Sequence, residues 1–228
     1  MRILCCVKPV PDTFIWDDAQ NSVVRSRALS INSADCGAFS FALELKKSVG
    51  AEITVMSMAP QSAGRTLQDL FTVGADRIVL ISDAAFSGSD SLATAKILSA
   101  AAVKLGPFDL LLFGRRSSDG ETGHVAAQTA HLLHLPCITN AAGLSLSGDR
   151  VECTRLLENE TQTLSAALPC VVSVCGRHTL PPPSLSSLRD ARGKTVELLT
   201  NRELQLPSTE IGRNSQTFVS SSYPIQPP

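Results

Sequence analysis

The sequence predicts an α/β fold built on a doubly wound, mainly parallel sheet, with an added antiparallel hairpin and an extended C-terminal arm. Two observations lead to this prediction. Short apolar runs alternate with longer amphipathic segments over residues 1–135, a pattern typical of right-handed βαβ crossovers. The predicted strands are also apolar at nearly every position, as expected when helices cover both faces of a parallel sheet.

The first part of the chain alternates predicted strands with predicted helices. The short apolar runs that predict strands lie at 3–7, 53–58, 77–81 and 108–113. The segments with apolar residues at helical spacing lie at 35–48, 62–73, 89–105 and 121–135. A residue that ends a helix follows each of these segments, in the order Gly50, Gly74, Gly106 and Pro136.

The pattern changes after Pro136. Residues 144–146 and 151–156 flank a polar turn and predict a hairpin, 161–168 predict a third antiparallel strand, and 169–174 predict a further buried strand. Three consecutive prolines at 181–183 favour an extended segment. We therefore expect one α/β domain over residues 1–203, with a hairpin insertion at about 144–168, and an extended arm without a core of its own over residues 204–228.

Composition excludes several classes of function. The chain has 228 residues, of which 43% are hydrophobic, enough for a sizeable core. A net charge of -1 and an aromatic content of 4% argue against nucleic-acid binding. No apolar run is long enough to span a bilayer, and the N-terminal residues resemble a strand rather than a signal peptide. We expect a cytoplasmic protein without membrane insertion.

The cysteines and histidines do not form a recognisable reactive or metal site. The sequence has seven cysteines and no Cys-x-x-Cys pair. His131 and His134 share one predicted helix but lack a third ligand at zinc-like spacing. No catalytic residue and no metal are therefore predicted. The cysteines that lie in apolar runs, where they are expected to be buried rather than disulfide-bonded, are Cys5, Cys6, Cys137, Cys170 and Cys175.

The segment 114–125, which follows the fourth predicted strand, is the best candidate for a binding site. Ligands bind beyond the carboxyl ends of strands in open parallel sheets, and the free amides of a helix start attract phosphate. Ser118 and Thr122 offer hydroxyl donors, and Arg115 or Arg116 can neutralise phosphate charge. An ordinary capped loop is the alternative, since the segment is neither a P-loop nor Gly-x-Gly-x-x-Gly.

Two further segments are candidates. Residues 7–12, Val-Lys-Pro-Val-Pro-Asp, form a stiff turn after the first predicted strand. Residues 32–35, Asn-Ser-Ala-Asp, precede the first predicted helix. An ordinary turn is the alternative for the first segment, and helix capping is the alternative for the second.

In their order along the chain, these segments resemble the β-subunit of the electron-transfer flavoprotein family. Residues 7–12 are similar to the family's Val-Lys-x-Val-Pro-Asp, 73–77 to Met-Gly-Ala-Asp-Arg, and 168–174 to Leu-Pro-Ala-Val-Val-Thr-Val. Residues 114–125 resemble Gly-Arg-Gln-x-x-Asp-Gly-Asp-Thr-Ala-Gln-Val without a gap, the form typical of anaerobic and bifurcating members. Gly123-His124 stands in place of Ala-Gln, and Arg116-Ser117 in place of Gln-Ala.

The resemblance implies a Rossmann-like, adenine-nucleotide-binding fold and a heterodimer with an α-subunit. It implies an FAD shared with that subunit and AMP or a second FAD in the β-subunit. Together with the chemistry of the loop, it predicts the following cofactor-binding residues: Cys6, Lys8, Asn32, Ser33, Ala34, Asp35, Met58, Arg115, Ser118, Asp119, Gly120, Glu121, Thr122, Gly123, His124, Val125 and Thr139.

The resemblance also implies an electron carrier rather than an enzyme, and it leaves open whether the complex bifurcates electrons from NADH. A recognition loop for an acyl-CoA or related dehydrogenase is expected at about 180–192, with Leu185 as its anchor. Two other functions stay open. The first is a stand-alone adenine-nucleotide-binding module of the stress-protein kind. The second, a nucleotide-activating enzyme, is disfavoured because residues 8–12 lack a Ser-Gly-Gly-x-Asp-Ser type of loop.

Overall fold

The computed structural model describes residues 1–12, 16–17, 22–23, 28–176 and 179–217, with the backbone alone at 16–17 and 22–23. Its centre is a nine-stranded sheet in the order β11-β10-β9-β12-β8-β1-β6-β7-β13. The strands of this sheet are β1 (Arg2–Cys6), β6 (Glu52–Met58), β7 (Arg77–Ile81), β8 (Leu110–Gly114), β9 (Cys137–Ser147), β10 (Arg150–Leu156), β11 (Thr161–Ala167), β12 (Cys170–Val174) and β13 (Glu197–Leu199).

The sheet is mainly parallel, as predicted. The pairs β1–β6, β1–β8, β6–β7, β7–β13, β8–β12 and β9–β12 are parallel, and β9–β10 and β10–β11 are antiparallel. Two small antiparallel pairs stand apart from it, β2 (Pro9–Pro11) with β5 (Leu29–Ile31), and β3 (Trp16–Asp17) with β4 (Ser22–Val23).

Helices cover both faces of the sheet and complete the doubly wound arrangement. They are α1 (Ser33–Val49), α2 (Gly64–Gln68), α3 (Ser91–Leu105), α4 (Val125–Leu132), α5 (Leu185–Asp190) and α6 (Asn201–Leu204). Phe39 of α1 packs with Ile3 of β1 in one core, whereas Ile97 of α3 packs with Leu4 in the other. Successive residues of β1 therefore point to opposite cores, which explains why the strand is apolar throughout.

Local geometry explains where two helices differ from the prediction. The segment predicted as one helix over 62–73 is a short α2 flanked by 3-10 turns at Gln61–Ala63 and Asp69–Val73. The helix predicted from 121 begins only at Val125. Glu121 and Gly123 have left-handed backbone angles, with φ of 49° and 66°, and these angles keep the preceding loop out of the helix.

The C-terminal half contains both confirmed and unpredicted strands. The hairpin and the third antiparallel strand form β9, β10 and β11, but β9 starts at Cys137, earlier than predicted, because its first part pairs in parallel with β12. Strand β13 was not predicted. The division of the chain at 203/204 stays a prediction, and Ile211, within the expected arm, is only 2% exposed and packs in the second core.

The cysteines are unpaired, and the expectation that those in apolar runs are buried is wrong for two of them. Cys137 is exposed and Cys175 is only partly buried. Cys137 is the first residue of β9, and Cys175 lies just beyond the end of β12. No helix in the described ranges is long and apolar enough to cross a membrane.

Candidate functional site

With this strand order, a crevice is expected at the carboxyl ends of β1 and β8. From β1 the chain passes through α1 to β6 on one side, whereas β8 lies on the other side of β1 and is reached through α3. The loops that follow β1 and β8 therefore diverge, and such a divergence is where open α/β sheets bind ligands. We call the space between loop 7–12 and loop 115–124 the switch-point crevice.

Asp35, in the first turn of α1, joins the two loops of this crevice. Its Oδ2 accepts a hydrogen bond from the Lys8 amide at 2.8 Å, and its Oδ1 accepts one from the Gly114 amide at 3.0 Å. Burial raises the pKa of Asp35 to about 7, although the hydrogen bonds from Lys8, Asn32 and Gly114 act in the opposite direction. Burial therefore favours the protonated carboxyl group, whereas these hydrogen bonds favour the carboxylate.

Asn32 connects α1 with the loop after β8. It occupies the N-cap position of α1, but its side chain makes no capping hydrogen bond. Instead, its Nδ2 donates to the Arg116 carbonyl at 2.9 Å, and its Oδ1 accepts from the Ser118 amide at 3.2 Å. Side-chain capping, the alternative raised from the sequence, is therefore not its role. Asn32 is 3% exposed and shapes loop 115–124 from beneath.

An ion pair connects the loops from the other side. Lys8 Nζ lies 2.7 Å from Asp119 Oδ1 and donates to Ser117 Oγ at 3.4 Å. The Asp119 side chain is only 4% exposed, whereas that of Lys8 is 40% exposed. The structure thus brings together Lys8, Asn32, Asp35 and Asp119, which sequence reasoning placed at the site.

The remaining predicted site residues lie around this group. Cys6 ends β1 and is buried, and burial raises the pKa of its thiol well above the ordinary value, so the thiol is neutral. Met58 ends β6, next to β1 in the sheet, and Ser33 and Ala34 open α1. The predicted residues of loop 115–124 that are exposed are Arg115, Ser118, Gly120, Glu121, Thr122, Gly123 and His124, followed by partly buried Val125 at the start of α4.

One predicted residue lies farther along the sheet. Thr139 belongs to β9, which is separated from β8 by β12, so it is two strands from the strand that carries loop 115–124.

His131 and His134 do not belong to a metal site. Among the ranges described, no group of three or more His, Cys, Asp or Glu side chains is arranged to hold a metal ion.

Two contributors were missed by sequence reasoning. Gly114 lies so close to α1 that a Cβ added there would come within 2.7 Å of the Asp35 amide nitrogen. The other is Ser117, which accepts from Lys8. The glycine at the end of an apolar strand was a usable signal, because such a glycine often marks a close approach of two backbone segments.

The predicted recognition anchor is on the surface, in the short helix α5. Ser184 caps this helix in a reciprocal arrangement with Ser187, and the helix packs against the Asp69–Val73 turn. The first residue of α5 is Leu185, whose relative exposure is 85%. A capped helix therefore presents the apolar side chains of Leu185 and, at 43% exposure, Leu188 to solvent, although a role in docking stays a prediction.

Comparison with known proteins gives consistent matches over most of the chain. The model of the electron transfer flavoprotein domain matches residues 20–204. The acryloyl-CoA reductase electron transfer subunit gamma of Anaerotignum propionicum is 39% identical over 90% of this chain and 79% of the relative. The electron transfer flavoprotein subunit beta of Thermoanaerobacterium thermosaccharolyticum is 33% identical over 93% of this chain and 83% of the relative. The caffeyl-CoA reductase-Etf complex subunit CarD of Acetobacterium woodii is 32% identical over 99% of this chain and 89% of the relative.

The matched region includes α1, the loop after β8 and the antiparallel strands. The similarity therefore covers the elements that build most of the switch-point crevice, and it confirms the resemblance drawn from the sequence motifs. The chain belongs to the electron transfer flavoprotein family, and its similarity is to the electron-transfer β-subunits of that family.

Proposed function

We propose that this chain is the β-subunit of a heterodimeric electron-transfer flavoprotein and that it binds an adenine nucleotide, AMP or FAD, in the switch-point crevice. The observation that carries the proposal is the meeting of the two loops: in a chain of this family, loop 115–124 contacts loop 7–12 at the carboxyl ends of β1 and β8. The connections through Asp35, Asn32 and Lys8 give this crevice a defined shape.

The start of α4 suits the phosphate groups of such a nucleotide. The N-cap residue His124 makes no side-chain capping hydrogen bond, so its side chain does not satisfy the first amides of the helix. These amides and the helix dipole attract anions. Gly123 allows the tight approach to the helix, since its φ is 66° and a Cβ there would lie 3.4 Å from the Arg115 carbonyl.

The charges and polar groups around the crevice fit the same ligand. The exposed side chain of Arg115 and the half-exposed side chain of Arg116 supply positive charge in the loop that precedes α4. The Arg116 guanidinium nitrogen lies 3.7 Å from a carboxylate oxygen of Glu121. Thr122 supplies a hydroxyl group in the same loop. A bound flavin supplies the electron-carrying chemistry, and the residues of this chain bind the nucleotide and orient it.

Counting the nucleotides tests the proposal. The chain is co-purified with an electron-transfer flavoprotein α-subunit, and the nucleotides are released with acid and quantified. One FAD with one AMP per heterodimer supports simple electron carriage, and two FAD support a second flavin in the crevice. If the complex holds no adenine nucleotide beyond one FAD, or the chain is a colourless ATP-bound monomer, the proposal is wrong.

A pair of arginine variants links the nucleotide to the crevice. Arg115→Gln removes a positive charge next to α4, and we expect the affinity for AMP or FAD to fall by about tenfold, the usual value of one charge-assisted hydrogen bond. Arg202→Gln removes an exposed arginine on α6 and serves as the control. Equal affinities in the two variants would contradict a phosphate site at Arg115.

We further propose that the redox partner is an acyl-CoA or related dehydrogenase. Two relatives carry names of CoA-ester reductase complexes, acryloyl-CoA reductase and caffeyl-CoA reductase. The exposed Leu185 on the capped helix α5 suits a docking contact, because insertion of one leucine into a partner's pocket contributes about 1.5–3 kcal/mol.

Electron transfer between the heterodimer and such a dehydrogenase tests this partner class. Leu185→Ala is expected to raise the apparent KM for the heterodimer about tenfold or more without changing its flavin content. Leu198→Ala is the matched control, since this leucine on β13 is 51% exposed. A Leu185→Ala variant with unchanged kinetics would refute docking through α5.

A further inference from the structure

The buried carboxylate of Asp35 is the point where the two loops of the crevice meet. It is 6% exposed, and one oxygen accepts from the loop after β1 while the other accepts from the end of β8. Both donors are backbone amides, Lys8 and Gly114. A change at this carboxylate therefore acts on the path of both loops rather than on a single side chain.

Packing at Gly114 makes the connection tight. A Cβ added to this glycine would lie 2.8 Å from the Ala34 carbonyl carbon and against the Asp35 carboxylate. The end of β8 and the start of α1 are therefore in direct contact, with no room for an intervening group. Loop 115–124 begins at the next residue, so its starting position is fixed by Asp35.

We propose that Asp35 is a positioning residue: its ionised carboxylate holds the two loops at the separation that the nucleotide requires, without touching the nucleotide, and this link weakens when the carboxylate takes up a proton. This inference rests on the proposed function, and it gives Asp35 a different role from the direct contact that the family resemblance implies. A protonated carboxyl group is a weaker acceptor than a carboxylate, so the amides of Lys8 and Gly114 are then held less firmly.

The titratable groups that face Asp35 are three thiols and the ion pair of Lys8 with Asp119. Burial raises the pKa of the nearby thiols, well above the ordinary value for Cys5 and Cys6 and to about 11 for Cys36, so they stay neutral. The facing cation is Lys8, which is paired with Asp119. Asp35 itself has a pKa of about 7 because of burial. Its charge therefore changes across the range in which binding can be measured.

Nucleotide affinity as a function of pH tests the proposal. The full-length chain is titrated calorimetrically with FAD and with ADP-ribose between pH 6 and 8, because their pyrophosphates stay ionised whereas a terminal phosphate titrates near 6. A His124→Gln background removes the imidazole of loop 115–124, so that this side chain contributes nothing to the pH profile. If binding requires the ionised form of a group with a pKa near 7, affinity rises about tenfold from pH 6 to pH 8.

Two aspartate variants identify the group responsible. Asp35→Asn, in the same background, is expected to bind the nucleotide weakly and with no dependence on pH. Asp83→Asn is the matched control: Asp83 also accepts two backbone amides, from Ala85 and Asn201, but it lies at the end of β7. The control variant should keep the tenfold pH dependence. Hydrogen exchange at Lys8 and Gly114 should accelerate in Asp35→Asn alone.

The outcomes separate this inference from the proposed function. If the chain binds neither FAD nor ADP-ribose at any pH, both are wrong. If it binds with an affinity that is independent of pH, or if Asp35→Asn retains the pH dependence, the role of Asp35 is refuted and the nucleotide site stands. Should Asp35→Asn fail to fold, the pH profile of the His124→Gln and Asp83→Asn proteins decides, and a flat profile refutes the inference.

Discussion

Replacement of Asp35 by asparagine should abolish a specific dependence of folding stability on pH. The carboxyl group is buried in the first turn of α1, and burial raises its pKa from 3.8 to about 7. An unfolded chain leaves this group in water with its ordinary pKa. Between these two pKa values, the folded protein binds a proton that the unfolded chain does not.

The sign and size of the effect follow from this difference. Since the pKa is higher in the folded state, the stabilisation is complete below about pH 4 and is lost as pH rises through 7. The full difference corresponds to about 4 kcal/mol, of which about 2–3 kcal/mol falls between pH 5 and pH 8. Asparagine does not titrate, so the variant should lack this loss.

Urea unfolding at pH 5, 6, 7 and 8 measures the effect, with the free energy of unfolding compared between the protein and Asp35→Asn at each pH. The other titrating groups are the same in both proteins, so they cancel in the comparison. The Asp35 protein should lose about 2–3 kcal/mol more than the variant over this range. Parallel pH profiles would mean that Asp35 titrates at its ordinary pKa, and the reasoning about its burial would be refuted.

Three further predictions concern the rest of the fold. Gly212→Ala should lower the free energy of unfolding by about 2–3 kcal/mol, and Gly148→Ala by only about 1 kcal/mol. Both glycines have φ near 60°, but only Gly212 is packed against a backbone carbonyl. Equal losses in urea unfolding would contradict this difference. Glu197→Gln should lower the free energy of unfolding by less than about 1 kcal/mol in the same assay, because its ion pair with Arg77 is half exposed. A loss above about 2 kcal/mol would instead show that the position of β13 depends on this ion pair. In native-state thiol labelling, Cys137 should react first because it is the exposed cysteine. Fast labelling of a buried thiol would contradict the packing of the core around it. The thiols expected to be slow are Cys5, Cys6, Cys36, Cys153 and Cys170.

The parallel core was predictable because its strands are short, continuously apolar runs separated by helices. Strand β13 was not, since three residues carry no pattern. It is added to the sheet by parallel pairing with β7, and the side chains of Arg77 and Glu197 connect the two strands. The late start of α4 was also beyond local rules, because Glu121 adopts a left-handed angle that non-glycine residues rarely take.

A motif that supported the family resemblance is explained by the fold rather than by the site. Asp76, in the segment 73–77, accepts a hydrogen bond from the Ile53 amide at 2.9 Å and from Lys46 at 2.6 Å. It therefore holds the start of β6 and the end of α1 against β7. A motif can thus identify a family correctly although its residues lie away from the functional site.

The sequence predicted which segments form the candidate site, whereas the contacts among their residues were not predictable. Asn32 before a helix has the local pattern of a cap, and the sequence gives no sign that the Arg116 carbonyl and the Ser118 amide need a partner. That need arises only when the sheet brings α1 beneath the loop after β8. Long-range hydrogen bonds of this kind depend on the topology, and local propensity cannot reveal them.

Asp35 shows why such a residue is unfavourable for stability and useful for the site. At neutral pH its charge is buried at a cost in folding free energy, and an apolar residue would pack there without that cost. No apolar residue, however, could accept the amides of Lys8 and Gly114 together. Stability and loop position therefore change in opposite directions with pH, since protonation stabilises the fold and weakens the link between the loops. A variant that gains stability at pH 8 but loses nucleotide affinity would display this conflict at a single side chain.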